Sequence, residues 1–139
     1  MHRKVVITGM GVVSPIGIGV EDYWNALMEG KSVASPITRF DATNFSVKFG
    51  CEVKDFNPDN FIDKKKIKRM DRFVQFAVAA TKLAVDDSKI DFTKENPERC
   101  GVIVGSGIGG MQTIEDQAKV LSEKGPGRIS PFLIPMLIS

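Results

Sequence analysis

Two apolar runs, each ending in glycines, most constrain what this chain can fold into. The first covers residues 4–8 and is followed by Gly9 and Gly11, and the second covers residues 100–105 and opens a glycine-rich loop. Uninterrupted apolar runs of this length are typical of strands buried on both faces of a sheet. The sequence therefore predicts two buried strands, the first of which ends in a tight turn that uses the conformational freedom of glycine.

Three amphipathic segments predict the helices of the chain. Residues 20–29 predict a short helix, with Gly30 as the residue that ends it. The clearest helix covers about residues 70–88, because apolar side chains recur there at spacings of three and four residues. Its alanines indicate close packing against another element. A further helix is predicted at residues 111–124.

The order of these elements defines the fold class. Strand, helix, helix, strand and helix follow one another, with a loop-like segment at residues 31–47 and a further short strand at residues 49–53. Continuous apolar strands separated by helices are typical of a largely parallel sheet that carries helices on both faces. The sequence predicts an α/β fold across residues 1–139, without an internal domain boundary.

Composition excludes several classes of protein. The chain has 139 residues, of which 42% are apolar and 26% charged, and its net charge is +2. This balance argues against a nucleic-acid-binding protein, and no run reaches the roughly 18 apolar residues that a membrane helix needs. Cys51 and Cys100 are too few for a disulfide framework, so we expect free, buried thiols and a soluble cytoplasmic protein.

Two glycine motifs resemble nucleotide-binding loops. Gly105, Gly107 and Gly110 satisfy the G-x-G-x-x-G spacing after a strand and before a helix. The full fingerprint also needs a second strand that ends in Asp or Glu, and residues 125–131 cannot form that strand. Near the N-terminus, Ser14 stands where the third glycine would be. Nucleotide binding is therefore disfavoured at both sites, and no cofactor is predicted.

A search for catalytic and metal-binding residues finds none in this chain. Cys51 lies in the short strand and Cys100 starts the second apolar run, and neither stands at a strand-to-helix elbow that would activate a thiol. His2, the only histidine, is close to the terminus. One histidine and two distant cysteines give neither a Cys–His pair nor a metal-ligand spacing.

A basic cluster stands at the start of the predicted long helix. Lys65, Lys68, Arg69 and Arg72 share one helical face there. Cations at a helix N-terminus oppose the helix dipole, so a sequence selected only for stability would favour acidic residues at these positions. A partner with negative charge is therefore favoured, with an ordinary solvated face as the alternative.

The last residues of the chain are strongly apolar. Residues 131–139 carry this character as far as Ser139, whereas a terminal segment is usually polar. An exposed apolar run would form a patch that a monomer avoids. We expect either that the polypeptide continues beyond Ser139 or that this segment docks onto its own core or onto a partner.

Three segments together resemble one family. Residues 6–17 (VITGMGVVSPIG) are similar to the opening of β-ketoacyl-[acyl-carrier-protein] synthases, and residues 68–73 (KRMDRF) resemble the segment that leads into their long N-terminal helix. Residues 105–110 (GSGIGG), followed by residues 129–132 (ISPF), resemble the synthase II branch of that family. Each motif alone is weak, but together they cover the chain from end to end in family order.

The resemblance implies a thiolase-like fold with two related α/β halves in a layered αβαβα arrangement, of which this chain would be most of the first half. It implies a homodimer that takes an acyl group from acyl carrier protein onto a cysteine. The enzyme would then decarboxylate malonyl-carrier protein and join the two groups by a Claisen condensation. The reactive cysteine and two histidines would lie beyond Ser139, so the 139 residues alone are expected to be inactive.

The resemblance also assigns roles to two sets of residues in this chain. One set matches the family's basic docking surface for the acidic carrier protein: Lys65, Lys68, Arg69 and Arg128. The other set matches the acyl pocket: Ile108, which lines and gates it, and Phe132, Leu133 and Ile134, which reach it near the dimer interface.

Other interpretations stay open. Bacterial polyketide systems contain ketosynthases of this family and inactive partner subunits that lack the cysteine, and an N-terminal third is compatible with either. A carrier-protein docking module without catalysis would describe the isolated residues. A dinucleotide-binding domain is the alternative outside the family.

Overall fold

The computed structural model describes residues 4–138. Within them, the elements are short strands, α-helices and 3₁₀ turns, in this order along the chain: β1 (Val13–Ser14), β2 (Gly17–Ile18), α1 (Val20–Met28), β3 (Ser35–Pro36), β4 (Phe49–Gly50), a 3₁₀ turn (Pro58–Asn60), α2 (Lys64–Ile67), α3 (Arg72–Ser88), a 3₁₀ turn (Pro97–Arg99), α4 (Met111–Lys124), a 3₁₀ turn (Pro126–Arg128) and α5 (Leu133–Leu137). None of the helices within this range is long and apolar enough to cross a membrane.

The chain forms two compact units that share helix α3. One unit contains the residues up to Asn57 together with Ala80–Lys89, and the other contains Pro58–Ala79 and the residues from Ile90 onwards. The first unit therefore holds both strand pairs, α1 and the C-terminal part of α3. The second unit holds α2, the N-terminal part of α3, α4 and α5.

In the first unit, a small hairpin leads into the first helix. Strands β1 and β2 pair in antiparallel fashion, with Val13 opposite Ile18, and the Ser14 hydroxyl donates to the Gly17 carbonyl at 3.0 Å. Helix α1 ends within one residue of its predicted limit. Gly30 adopts a φ of 65°, so the prediction that this glycine ends the helix is confirmed.

The glycines after the first apolar run serve a different purpose from the predicted one. Neither Gly9 nor Gly11 lies in the left-handed region, so the prediction of a turn that depends on that conformation is wrong. Instead, both lie so close to α3 that a Cβ at either position would overlap its backbone; at Gly11 the obstacle is the Ala80 carbonyl oxygen. The predicted close packing of the α3 alanines is thereby confirmed. Asp87 secures the contact, because its Oδ2 accepts from the Met10 N–H at 2.9 Å.

The two predicted buried strands do not form within the described residues. Residues 4–8 and 100–105 have no strand structure and are exposed, with 94% of Val5 and 99% of Ile103 accessible. A strand exists only when a neighbour completes its hydrogen-bond ladder, and no described segment pairs with either run. Both strand pairs present are antiparallel, so the predicted parallel sheet is absent from residues 4–138.

The loop-like segment after α1 is held by a strand pair and by the Glu52 carboxylate. Strands β3 and β4 pair in antiparallel fashion, so the predicted strand at 49–53 is confirmed only at its first two residues. Glu52 accepts hydrogen bonds from the Thr38 hydroxyl at 2.6 Å, the Thr38 N–H at 2.9 Å and the Arg39 N–H at 3.1 Å. These bonds, chiefly that of the Thr38 hydroxyl, favour the ionised form and lower the pKa of Glu52.

Helices are the best-predicted elements of the second unit. Helix α4 has the predicted bounds, and α3 begins at Arg72, two positions after the predicted start. The Asn96 side chain caps the 3₁₀ turn Pro97–Arg99 by accepting from the Glu98 N–H at 3.0 Å. The expectation of buried thiols is wrong, because Cys51 and Cys100 are both free and exposed. Neither lies in a core, since the strands that would have buried them do not form here.

Substitution of Gly11 tests the close approach to α3. Gly11→Ala is expected to lower the free energy of unfolding by about 2 kcal/mol or more, because an added methyl group would push against helix backbone. Urea unfolding measures the change. Gly101→Ala is the matched control, since a Cβ there meets open space. Equal effects of the two substitutions would contradict the packing described.

The hydrogen bonds that Glu52 accepts predict that the stability of this segment depends on pH. A carboxylate whose pKa is lower in the folded state stabilises that state at pH values above its unfolded pKa, about 4.3. This stabilisation is lost as the pH falls through the folded pKa of Glu52, so the protection factors of the Thr38 and Arg39 amides should decrease in acid. Amide hydrogen exchange across this pH range, corrected for the intrinsic exchange rate at each pH, measures the effect. In Glu52→Gln this acid-dependent loss of protection should vanish; its persistence would exclude Glu52 as the cause.

Candidate functional site

One buried carboxylate, that of Asp71, joins the N-termini of two helices in the second unit. Asp71 directly precedes α3, and its Oδ1 accepts from the Phe73 N–H in a long hydrogen bond of 3.4 Å, as a helix N-cap does. Its Oδ2 accepts from the Thr113 N–H at 2.9 Å and from the Thr113 hydroxyl at 2.6 Å. Thr113 is the third residue of α4, whose own N-cap, Gly110, has no side chain to offer. Asp71 therefore caps one helix locally and another 42 positions away.

The glycine-rich loop before α4 is fixed at its C-terminal end. The Gly109 N–H donates to the Ser106 hydroxyl oxygen at 2.9 Å, and the Gly110 N–H donates to the Leu137 carbonyl at 3.1 Å. Gly109 has a φ of 82°, which favours glycine at this position. A Cβ on Gly110 would lie 3.0 Å from Oδ2 of Asp71. The loop therefore sits against both the carboxylate and the end of α5.

An aromatic contact ties the basic segment to the approach to α5. The Arg69 guanidinium lies over the Phe132 ring, 4.7 Å from its centroid, within cation–π distance. Phe132 immediately precedes α5 and is exposed. The Ser130 N–H donates to the Gln117 side-chain oxygen at 2.7 Å, which joins the same segment to α4. Arg69 thus has a packing contact in addition to its charge.

The predicted basic face is divided between two helices. Helix α2 ends at Ile67 and α3 begins at Arg72, so the prediction of one continuous helical face is wrong. Asp63 caps α2, accepting from the Lys65 N–H at 2.8 Å. Lys65, Lys68 and Arg69 are exposed, whereas the Arg72 guanidinium lies 4.9 Å from the centroid of the Phe76 ring. Arg128 ends a 3₁₀ turn and is exposed.

The residues assigned to the acyl pocket lie in two segments that the structure brings together. The loop that carries Ile108 meets the end of α5 through the contact between Gly110 and Leu137. The Ile108 side chain is 74% exposed, and Phe132 and Ile134 are also exposed, while Leu133 is partly buried. The described residues therefore present these side chains at a surface, without an enclosed pocket around them.

The two cysteines are free and exposed. The Cys100 Sγ lies 3.4 Å from the Asn96 carbonyl oxygen, the distance of a weak S–H···O hydrogen bond. His2 lies outside the described residues. No group of three His, Cys, Asp or Glu side chains between residues 4 and 138 is placed to hold a metal ion.

Sequence reasoning missed the part that Asp71 and Thr113 play. An Asp directly before a helix is a standard N-cap signal, so its local role was accessible from the sequence. The second role was not, because nothing in the sequence indicates that its other oxygen reaches Thr113.

Solved structures that share the fold are ketosynthases. The ishigamide ketosynthase/chain length factor superposes on 96% of this chain with a TM-score of 0.84 and 36% identity, over 33% of its own length. A beta-ketoacyl synthase from Burkholderia phymatum STM815 superposes on 96% of the chain, and over 33% of its own length, with a TM-score of 0.76 and 24% identity. A ketosynthase of a type II PKS, in complex with its acyl-carrier protein, superposes on 96% of this chain with a TM-score of 0.77 and 24% identity, over 34% of its own length. Residues 4–138 thus have a ketosynthase fold.

Sequence comparison gives the family. The family model described as Beta-ketoacyl synthase, N-terminal domain, matches residues 2–139, so the chain belongs to the beta-ketoacyl synthase family. Curated proteins named 3-oxoacyl-[acyl-carrier-protein] synthase 2 are similar: that of Synechocystis sp. is 50% identical over 137 residues, and that of Coxiella burnetii is 50% identical over 133. The matches cover 99% and 96% of this chain. They cover 33% and 32% of the relatives, so the chain spans about a third of their length.

Paired substitutions test the double cap. Asp71→Ala is expected to lower the free energy of unfolding by about 1–4 kcal/mol, since it removes two helix caps that are worth about 0.5–2 kcal/mol each. Asp63→Ala, which removes the single cap of the exposed helix α2, should cost less, about 0.5–1 kcal/mol. Urea unfolding of the two variants gives both values. A cost at Asp71 no larger than that at Asp63 would contradict a carboxylate shared by two helices.

Proposed function

We propose that this chain is the N-terminal part of a 3-oxoacyl-[acyl-carrier-protein] synthase that elongates fatty acids. The observation that carries the proposal is 50% identity across 99% of the chain with a curated relative of that name. The resemblance of residues 6–17, 68–73 and 105–110 to the same family supports it independently of any single motif. The chain would form most of the first half of a layered thiolase-like fold.

The proposed reaction joins two carrier-bound groups. A cysteine thiolate first attacks the acyl thioester and releases the carrier thiol, which leaves the acyl group on the enzyme. Malonyl-carrier protein then loses carbon dioxide, and the resulting enolate carbon attacks the acyl-enzyme carbonyl. A carbon–carbon bond forms, the carbon–sulfur bond to the enzyme breaks, and the cysteine thiolate is regenerated. The cysteine and two histidines that stabilise the developing charge are expected beyond Ser139.

Residues of this chain would supply the landing surface for the carrier. Lys65, Lys68, Arg69 and Arg128 are exposed cations, as recognition of an acidic carrier protein requires. A structural neighbour of this chain is a ketosynthase in complex with its acyl-carrier protein. Because Arg69 also contacts Phe132, it would contribute packing as well as charge. Lys65 and Lys68 are the cleaner probes of electrostatic docking.

Two segments would line the acyl pocket. Ile108 would gate the pocket from the glycine loop, and Phe132, Leu133 and Ile134 would line it near the interface of a homodimer. The contact between Gly110 and Leu137 supports this pairing, because it holds the two segments together. Burial of acyl methylene groups stabilises binding by about 0.8 kcal/mol each, so the depth of the pocket would set the preferred chain length. The enzyme would work in the cytoplasm.

A polyketide role is the second candidate function. The similarity to the ishigamide ketosynthase/chain length factor supports it, at 36% identity and a TM-score of 0.84. The fatty-acid proposal is favoured because identity to the fatty-acid relatives is higher, at 47–50%. The residue at the family's cysteine position in the complete protein separates an active ketosynthase from an inactive partner subunit.

Reconstitution tests the function directly. The complete protein, supplied with acyl- and malonyl-carrier protein, should release carbon dioxide and form the 3-oxoacyl product, whereas residues 1–139 alone should not. Mass spectrometry of the isolated chain should detect no acyl thioester on Cys51 or Cys100. Acylation and extension at either thiol would overturn the assignment of the chemistry to residues beyond Ser139.

Charge reversal tests the docking surface. Lys65→Glu and Lys68→Glu should each weaken carrier-protein binding by up to about fivefold, and added salt should weaken wild-type binding, because exposed ion pairs are screened. Surface plasmon resonance with the complete synthase gives the dissociation constants. Lys82→Glu, the same charge change at an exposed position in the later part of α3, should have little effect. Affinity that is unchanged in both variants and insensitive to salt would identify the cluster as a solvated face.

Enlargement of Ile108 tests the pocket. Ile108→Phe in the complete synthase should shorten the preferred acyl chain, because the larger ring removes pocket volume. Ile114→Phe, an equal enlargement at an exposed position on α4, is the control. Product chain lengths are compared by mass spectrometry. An unaltered distribution in Ile108→Phe would remove this residue from the pocket.

A further inference from the structure

We propose that Asp71 is a positioning residue for the acyl pocket: its carboxylate, reached through Thr113, sets where the Ile108 loop lies relative to the start of α5. The inference rests on the proposed function, because it presumes that Ile108 and the residues from Phe132 to Ile134 line that pocket. Asp71 itself would touch neither the substrate nor the reacting atoms.

Both carboxylate oxygens of Asp71 accept hydrogen bonds. Oδ1 accepts from the Phe73 N–H at the start of α3, and Oδ2 accepts from the Thr113 N–H and hydroxyl at the start of α4. An amide side chain offers only one acceptor oxygen, and its NH₂ group would face another donor. Asp71 is 7% exposed, so water does not readily replace a lost bond. Its geometry therefore fixes the start of α4 relative to the start of α3.

The fixed start of α4 determines the place of the Ile108 loop. Only Gly109 and Gly110 separate Ile108 from the first residue of α4. The hydrogen bond from Gly110 to the Leu137 carbonyl and the close approach of Gly110 to the Asp71 carboxylate hold these glycines from two sides. A shift at the start of α4 would move Ile108 as well, because these contacts and the hydrogen bond from the Gly109 N–H to the Ser106 hydroxyl oxygen hold the two connecting glycines.

The same short segment also reaches the other side of the pocket. Arg69, two positions before Asp71, stacks on Phe132 at the approach to α5. Residues 69–71 therefore contact both segments that are assigned to the acyl pocket, the glycine loop through Asp71 and the α5 segment through Arg69. Their neighbours Lys65 and Lys68 belong to the proposed docking surface. A change at Asp71 should consequently alter selection of the acyl chain more than it alters carrier binding.

Variants of Thr113 give the sharpest test, because they leave the α3 cap intact. In the complete synthase, Thr113→Val removes the hydroxyl bond at nearly constant volume, and Thr113→Ser keeps it. Asp71→Asn leaves a single acceptor oxygen, and Asp63→Asn makes the same change in a cap that serves only α2. For each variant, kcat/KM is measured with a long-chain and a short-chain acyl-carrier protein, alongside carrier affinity and the melting temperature.

The wild-type preference between the two chain lengths is expected to shrink by about tenfold in Thr113→Val, the scale that one methylene contributes in an apolar pocket. Asp71→Asn should change the preference in the same direction, and Thr113→Ser and Asp63→Asn should keep it, with carrier affinity unchanged throughout. An unaltered preference in active Thr113→Val enzyme would overturn the inference and leave the proposed function standing. An equal loss of the chain-length preference in all four variants would also overturn the inference, because it would indicate a general loosening of the fold. Failure of the wild type to condense either substrate would instead refute the proposed function.

Discussion

The shared use of one carboxylate is the constraint on which the second unit depends. A buried charge is costly unless it is hydrogen-bonded, and Asp71 meets this condition by accepting from two helix N-termini, whose unpaired N–H groups and dipoles both favour an anion. Asp71 thus serves as the N-cap of α3 and also supplies the side-chain cap that Gly110 cannot give to α4. The arrangement explains why Gly110 can stand at the start of α4: a side chain there would press on the carboxylate that replaces its cap.

The elements that could be predicted from the sequence are those whose signals are local. Helix α4 has the bounds predicted for it, and Gly30, in the left-handed conformation, follows the end of α1 as predicted. Features that depend on distant partners could not be predicted. The runs containing Val5 and Ile103 have the composition of buried strands, but a strand also needs a ladder partner, which residues 4–138 do not provide. Gly9 and Gly11 are needed for their close approach to α3 and not, as predicted, for a turn.

In the candidate site, too, the sequence indicates individual residues but not the contacts between distant segments. The assignments of Lys65, Lys68, Ile108 and Phe132 came from resemblance to a family, and the structure adds how their segments are connected. It separates the cations into those that are only exposed and those, such as Arg69, that also pack on a ring. The chain belongs to the beta-ketoacyl synthase family and spans about a third of its relatives' length, so the roles of these residues and the chemistry of the complete protein are proposals.

Amide hydrogen exchange at Thr113 reports on the hydrogen bond between α4 and the Asp71 carboxylate. The third N–H of a helix has no partner within that helix, so its protection must come from outside α4. The Thr113 amide should be protected in the wild type and exchange much faster in Asp71→Ala, while amides in the middle of α4 keep their protection. Rapid exchange at Thr113 in the wild type, or protection that survives loss of the carboxylate, would exclude Asp71 as the cap of α4.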